Sequence, residues 1–216
     1  CSAEEVQYIL HHAEAPVVLL EDEGQWEKVK SERANLPKLK HVVMMKDAPA
    51  IDDELVMSWD EFMARAEGTK DEEVDLHIAK LEEDKTATLI YTSGTTGPPK
   101  GVMLTHKNLA WTSQIAQGLV SLRAHDCSLS YLPLSHIAEQ MFSIHGPITA
   151  GASVYFAESI EAVPENVKEV QPTVFFGVPR IWEKFHAGVT GKLELATGTK
   201  AKLVTWARGV ATRANT

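Results

Sequence analysis

The stretch TLIYTSGTTGPPKGVMLTHKNL, residues 88–109, concentrates groups that can bind an anion. Hydroxyls, glycines, two prolines and Lys100 follow directly after a run of aliphatic and β-branched residues. Gly94, Gly97 and Gly101 permit positive φ and close approach of the backbone to a ligand, and successive backbone N–H groups form anion-binding concavities. Lys100 adds a point charge suited to phosphate. Residue types and their order therefore predict a loop that holds a polyphosphate.

This loop differs from the Walker A pattern, G-x-x-x-x-G-K-S/T. Pro99 precedes Lys100 and Gly101 follows it, so no hydroxyl stands where a P-loop NTPase holds Mg²⁺. A flexible Gly/Ser/Thr connection without a ligand would explain the composition. It does not explain the order of strand, hydroxyl–glycine loop and lysine, which favours phosphate binding.

Two later segments carry further candidate groups. YLPLSHIAEQM, residues 131–141, places His136 before a helical pattern, and PTVFFGVPRIWEKFH, residues 172–186, combines aromatic residues with a proline that opens a helix. On the residues alone, the favoured interpretation of His136 is a histidine at a helix start whose hydrogen bonds go to the backbone. The aromatic run is typical of a core.

The residues 91–106, YTSGTTGPPKGVMLTH, resemble position by position the phosphate-binding signature of the adenylate-forming superfamily, which contains acyl-CoA synthetases, luciferases and peptide-synthetase adenylation domains. PLSHIAEQ resembles the next superfamily motif in its long-chain acyl-CoA synthetase form. VPRIWEK resembles a segment of long-chain and very-long-chain synthetases. Together with SAEEVQYIL and the late WAR, these segments are most similar to the bubblegum-type members, and the resemblance covers essentially the whole chain.

The resemblance implies a ligase that joins a long-chain fatty acid to coenzyme A by way of an acyl-adenylate. ATP, Mg²⁺ and coenzyme A as co-substrate are implied with it, and it assigns no metal ligand within this chain. It implies that Lys100 and His136 act in catalysis, with His136 near the acyl and adenylate groups. The implied phosphate-binding residues are Thr92, Ser93, Gly94, Thr95, Thr96, Gly97, Pro98, Pro99 and Lys100.

Short apolar runs alternate with helical patterns along the chain, which predicts an α/β fold of layered, mostly parallel sheets flanked by helices. The predicted strands are 16–20, 41–45, 54–59, 86–92, 128–133, 151–156 and 173–178. The resemblance places residues 1–216 in the large N-terminal domain of an adenylate-forming enzyme, as a partial AMP-binding domain with an acidic linker near 67–85. The family's C-terminal domain and later motifs are expected to be absent from these residues, so that the chain alone is expected to be inactive.

The distribution of charge and of apolar residues argues against two kinds of interaction, binding of nucleic acid and a span across a membrane. Residues 1–85 contain 22 acidic and 10 basic residues, and the remainder 8 and 11, which argues against nucleic acid. No apolar run approaches the roughly 18 residues of a membrane span. The expected location is the cytoplasm, and the fatty substrate leaves peripheral contact with the endoplasmic reticulum or another intracellular membrane open.

Two other functions remain open at this point. The first is a non-catalytic nucleotide- or lipid-binding protein that retains the phosphate loop; ATP binding without pyrophosphate release would favour it. The second is a ligase for aryl or amino acids, which PLSHIAEQ and VPRIWEKF argue against.

Overall fold

The structure, a computed structural model, describes residues 1–92 and 97–214. The chain divides into two units, Cys1–Thr112 and Ser113–Thr216.

The first unit contains two sheets and the helices around them. Its strands are β1 Val17–Leu20, β2 His41–Met44, β3 Val56–Met57, β4 Thr86–Thr92 and β5 Lys100–Thr105. Its helices are α1 Ala3–His12, α2 Glu23–Ser31, a 3₁₀ turn Arg33–Asn35, α3 Trp59–Ala64, α4 Asp71–Ile78 and the first half of α5 His106–Val120. Strands β1, β2 and β3 form a parallel sheet in that order, whereas β4 and β5 pair antiparallel.

The parallel sheet follows from its continuous aliphatic strands, because a strand covered on both faces cannot alternate with polar residues. Val42 and Val43 of β2 have no exposed surface, and Trp26 of α2 covers the sheet with 2% of its surface exposed. Ser2 and Ser58 start α1 and α3 with complete capping boxes, which satisfy backbone donors that a helix start leaves unpaired. The strands predicted at 16–20, 41–45 and 86–92 are confirmed within a residue of their limits.

The acidic segment 67–85 is exposed throughout and contains helix α4. Its apolar side chains face solvent as well, with Leu76 61% and Ile78 58% exposed. The segment connects the parallel sheet to the β4–β5 hairpin without contributing a buried residue.

The second unit has a parallel pair of strands and a larger share of helix. Its elements are β6 Cys127–Ser130, α6 Ile137–Gln140, a π-helical turn Met141–His145, α7 Gly146–Ala150, β7 Ser153–Phe156, α8 Val163–Val170, α9 Pro179–Glu194 and α10 Gly198–Ala214. Leu129, Val163 and Ile181 form its buried core, which joins β6 to α8 and α9. The α/β class with mostly parallel sheets is thereby confirmed.

The strand predicted at 173–178 is wrong. Only Val174 makes a sheet-like bridge, to Ser128, and the segment belongs to no strand. Its other hydrogen bonds involve side chains and the first turn of α9. The Thr173 hydroxyl accepts from the Cys127 N–H at 2.9 Å, and the Tyr131 hydroxyl accepts from the Val178 N–H at 3.0 Å. The Val178 carbonyl accepts from the Ile181 N–H at 2.9 Å. An apolar run predicts extended backbone. It does not determine whether the hydrogen bonds of that backbone are made with a neighbouring strand or with other groups.

Gly177 is the point where this segment has no room for a side chain. A Cβ there would lie 2.6 Å from Nε1 of Trp182, whose indole N–H donates to the Gly177 carbonyl at 2.8 Å. We expect Gly177→Ala to displace the indole and lower the free energy of unfolding by about 1–3 kcal/mol. Urea denaturation followed by tryptophan fluorescence measures it. Gly188→Ala is the matched control, because no atom lies within 4 Å of its Cβ position. Equal stability of the two variants would contradict the steric argument.

Among the described residues, no helix combines the length and apolarity that crossing a membrane requires.

Candidate functional site

The candidate phosphate loop connects the two strands of an antiparallel hairpin. Thr92, the last residue of β4, pairs with Lys100, the first residue of β5, and Tyr91 pairs with Gly101. The sequence predicted the strand before the loop but not the strand after it. The hairpin fixes the distance between the two ends of the loop, because the paired backbones at Thr92 and Lys100 cannot separate without breaking the ladder.

Two of the three glycines of the loop serve different purposes. Gly97 has φ +87°, and its Cβ position is open, so here glycine supplies the left-handed backbone that the sequence predicted. Gly101 has no positive φ. Its missing side chain instead makes room for the ring of Tyr91, which lies 3.3 Å from the Cβ position. Gly101 therefore does not use the positive φ that glycine permits.

The loop end of the hairpin is held by the Tyr91 side chain, one residue before the Thr92–Lys100 pair. Its hydroxyl hydrogen-bonds Nδ1 of His12 at 2.7 Å, and the His12 ring stacks on Tyr8. Burial raises the pKa of the Tyr91 phenol. Helix α1 thereby anchors the strand that leads into the loop.

Lys100 presents its ammonium to solvent at the loop's end. Its side chain is exposed, and it forms no ion pair with any described residue. Thr92, Pro98 and Gly97 are exposed too, so these described parts of the loop are accessible to a ligand. Pro99, also among the described residues, is half-buried. The remaining four predicted phosphate-binding residues, Ser93, Gly94, Thr95 and Thr96, lie outside the described residues.

His136 caps helix α6 with its own side chain. The Ala138 N–H donates to Nδ1 of His136 at 3.2 Å, and the His136 carbonyl accepts from the Glu139 N–H at 2.9 Å. An Nδ1 that accepts carries no proton, so the neutral ring has its proton on Nε2. The side chain is exposed. The structure therefore shows the backbone cap, whereas the role of His136 near the acyl and adenylate groups stays a prediction.

The two residues assigned to catalysis lie in different units, Lys100 in the first and His136 in the second. The geometry of each is set within its own unit. Among the described residues, no three His, Cys, Asp or Glu side chains come together as a metal site.

The neighbouring phenylalanines of the aromatic segment face different surroundings. Phe175 packs on the core beside Tyr131, with the ring centroids 5.8 Å apart. Phe176 stacks on Phe142 of the π-helical turn at 4.5 Å. Phe142 in turn lines a small apolar cavity of about 30 Å³ under the second half of α5. A cavity of this size admits about one water molecule or methyl group, far less than a long acyl chain.

Sequence reasoning missed Glu139, a buried carboxylate three residues after His136. Only 3% of its surface is exposed. The signal that could have found it is a glutamate at the third position of a helix whose cap is a histidine. That spacing normally indicates a capping box, but here the carboxylate turns inward to Ser130 and Ser143.

Comparison with known proteins extends these observations over nearly the whole chain. The AMP-binding enzyme family matches residues 1–210. The long-chain-fatty-acid–CoA ligase ACSBG2 of Homo sapiens is 39% identical over 219 residues, which cover 99% of this chain and 33% of that protein. The long-chain-fatty-acid–CoA ligase ACSBG1 of Homo sapiens is 34% identical, over 99% of this chain and 30% of that protein. The chain thus spans about a third of the length of these curated relatives.

A solved structure is similar in fold. The crystal structure of the anthranilate CoA ligase AuaEII in complex with anthranoyl-AMP matches with a TM-score of 0.69 and 26% identity, over 84% of this chain and 34% of that one. The resemblance predicted from the three sequence motifs is confirmed. Since the family match extends over residues 1–210, the chain belongs to the AMP-binding enzyme family.

Proposed function

We propose that the whole protein containing this chain is an AMP-forming ligase for long-chain fatty acids. The fatty acid carboxylate attacks the α-phosphate of ATP, the bond to the β-phosphate breaks, and pyrophosphate leaves. The thiol of coenzyme A then attacks the acyl carbonyl, and AMP leaves as acyl-CoA forms. The names of the two ligases that resemble the chain over 99% of its length support the long-chain substrate.

The observation that carries the proposal is the pairing of Thr92 with Lys100 at the two ends of the loop. Thr92 and Lys100 are both exposed at these ends, and the Lys100 ammonium forms no ion pair with any described residue. A fixed, accessible ammonium beside an exposed hydroxyl suits the β- and γ-phosphates of ATP.

Lys100 acts where charge accumulates during the first step. As the carboxylate attacks, negative charge grows on the leaving pyrophosphate, and an ammonium held beside it stabilises the transition state more than the ground state. Bound with ATP, Mg²⁺ would supply further neutralisation of the phosphate oxygens. The hydroxyl of Thr92 is the described side chain on the opposite strand that can donate to the same phosphates.

His136 contributes a hydrogen-bond donor. With Nδ1 occupied by the Ala138 N–H, the group that faces a ligand is Nε2–H. This donor fits a carboxylate or phosphate oxygen and orients it, but it cannot accept a proton while Nδ1 remains bonded. We therefore assign to His136 the orientation of the acyl carboxylate or the adenylate, and no role as a base.

Pyrophosphate release by the whole protein tests the proposal. We expect release to require palmitate and ATP, and mass spectrometry to find palmitoyl-CoA once coenzyme A is added. Binding of ATP with no pyrophosphate release for any acid would instead favour the non-catalytic binding protein. Release with benzoate or an amino acid, but not with palmitate, would favour the aryl or amino-acid ligase. The 216-residue chain run alongside tests the expectation that it is inactive alone.

We also propose that the whole protein is cytoplasmic and contacts intracellular membranes peripherally, such as the endoplasmic reticulum. The supporting observation is helix α10, on which Leu203, Trp206 and Val210 share one face and remain 62%, 63% and 39% exposed. Lysines and arginines surround them, as in helices that lie on anionic membrane surfaces.

Flotation of the whole protein with phosphatidylcholine vesicles, with and without phosphatidylserine, measures this contact. We expect Trp206→Ser to weaken binding to the anionic vesicles about tenfold, because a large apolar side chain leaves the interface. Leu195→Ser, at a residue that is 82% exposed outside α10, serves as the control. If the wild type and Trp206→Ser bind the vesicles equally, α10 is not the segment that contacts the membrane.

A further inference from the structure

Glu139 is a buried carboxylate without a counter-charge. Its residue is 3% exposed on helix α6, and no described lysine, arginine or histidine forms an ion pair with it. An ionised group in such a place is costly unless hydrogen bonds replace its hydration. If position 139 served only to fill the core, an apolar side chain of similar volume would stabilise the fold at least as well.

Three donors from three different segments converge on this carboxylate. The Ser130 hydroxyl at the end of β6 and the Ser143 hydroxyl of the π-helical turn both donate to Oε1. The Leu132 N–H, from the loop between β6 and α6, donates to Oε2 at 3.1 Å. A strand, a loop and a π-helical turn are thereby fixed to a single side chain.

The direction of the carboxylate distinguishes it from a helix cap. In a capping box the glutamate at this position reaches back to the backbone N–H of the cap residue. Here the N–H of His136 donates to the Pro133 carbonyl at 2.9 Å instead, so the carboxylate is not needed at the helix start. It is bonded to the loop that leads to His136.

The loop that Glu139 holds is otherwise exposed, and it ends at His136. Pro133, Leu134 and Ser135 have exposed side chains. Besides the turn bond at Pro133, a hydrogen bond from α6 holds the loop: the Gln140 side-chain amide donates to the Leu134 carbonyl at 2.8 Å. Glu139 is the buried end of this arrangement, and His136 is the exposed end.

We propose that Glu139 is the positioning residue of the acid-activating site: its buried carboxylate fixes the loop 132–136 and so sets where Nε2–H of His136 points. The inference rests on the proposed function for its effect on activity. The structural part of the inference, that Glu139 keeps the loop 132–136 ordered, does not depend on any activity.

Glutamine can replace the carboxylate in this geometry. Its carbonyl can accept from the Leu132 N–H, and its NH₂ can donate to the hydroxyl oxygens of Ser130 and Ser143, because hydroxyls both donate and accept. Alanine leaves all three donors unpaired. Aspartate keeps the charge but withdraws it by one methylene, so it cannot reach all three donors.

The experiment uses the whole protein with Glu139→Gln, Glu139→Ala and Glu139→Asp. Glu169→Gln is the matched control, at an exposed glutamate of the same unit. Hydrogen exchange followed by mass spectrometry reports on residues 132–136. Steady-state pyrophosphate release gives kcat, the KM for palmitate and the KM for ATP.

We expect Glu139→Ala to speed exchange at 132–136 and to lower kcat/KM for palmitate about 100-fold, as a small misplacement of a group beside the reacting atoms does. The KM for palmitate should rise while the KM for ATP stays constant. Glu139→Gln should retain both order and activity within a few-fold. Partial unfolding alone would reduce the active fraction and leave both KM values unchanged.

Unchanged exchange at 132–136 in Glu139→Ala overturns the inference, and so does a loss of kcat with an unchanged KM for palmitate. Should Glu139→Ala fail to fold, Glu139→Asp decides by the same two measurements. A wild-type protein that releases no pyrophosphate refutes the proposed function instead. Exchange at 132–136 still decides on Glu139 in that case, so the two failures are distinguishable.

Discussion

Lys100→Met in the whole protein is expected to lower kcat for palmitate-dependent pyrophosphate release by about 100- to 1,000-fold, the usual effect of removing one group that stabilises developing charge. Lys100 starts strand β5 and is paired with Thr92, so its backbone is fixed while its side chain remains exposed. Methionine keeps the length of the aliphatic stem and removes the charge together with its three N–H donors. The fold should not change, because the ammonium forms no ion pair with a described residue.

The KM for ATP should change less than kcat does. Uniform binding of the triphosphate would affect KM alone, whereas an interaction that strengthens as the pyrophosphate leaves affects kcat. Quench-flow measurement of a single turnover separates this step from the later transfer to coenzyme A.

Lys107→Met is the control for the loss of a lysine. Lys107 lies on α5 just after the same hairpin, and its ammonium is 3.8 Å from a Glu83 carboxylate oxygen in an exposed pair. Exposed pairs of this kind contribute about 0–1 kcal/mol, so this variant should keep its activity within about twofold. If Lys100→Met is as active as Lys107→Met, the loop does not hold the phosphates through its lysine.

The strands of the parallel sheet in the first unit could be predicted from the sequence, because buried strands consist of apolar residues that a local pattern shows. PVVLL and HVVMM are continuous aliphatic runs, which are typical of parallel strands. HVVMM gives β2, which is buried on both faces, whereas Leu19 of β1 remains 47% exposed. KGVMLT, the returning strand β5, alternates less clearly, and it begins with Lys100 and Gly101, residue types that are equally typical of a loop. Antiparallel pairing depends on long-range register, which no local pattern contains.

The candidate site was predictable in composition and unpredictable in geometry. The order of hydroxyls, glycines and lysine identified the loop, but the separate purpose of Gly101 depends on where the Tyr91 ring lies. The importance of Glu139 depends on burial by β6 and the π-helical turn, which bring Ser130 and Ser143 to it from either side. Contacts of this kind arise from tertiary packing, so a list of residue types cannot contain them.

His136→Asn is the variant that separates the two roles of His136. Asparagine is a strong helix cap, and its side-chain oxygen can accept from the Ala138 N–H as Nδ1 does now. It has no donor at the position of Nε2. His136→Ala removes both the cap and the donor, and we expect it alone to lose about 1 kcal/mol of unfolding free energy. Denaturation of both variants in urea measures this difference.

If Nε2–H orients the acid or the adenylate, both variants should lose catalytic efficiency alike. A hydrogen bond to a charged oxygen contributes about 1.5–3 kcal/mol, which corresponds to roughly 10- to 150-fold in kcat/KM for palmitate. Full activity of His136→Asn, together with reduced stability of His136→Ala, would leave the helix cap as the whole function of this residue. That result would also remove the reason for Glu139 to hold the loop 132–136 in place. The pair of variants therefore decides whether the second unit contributes to the chemistry or only to the fold.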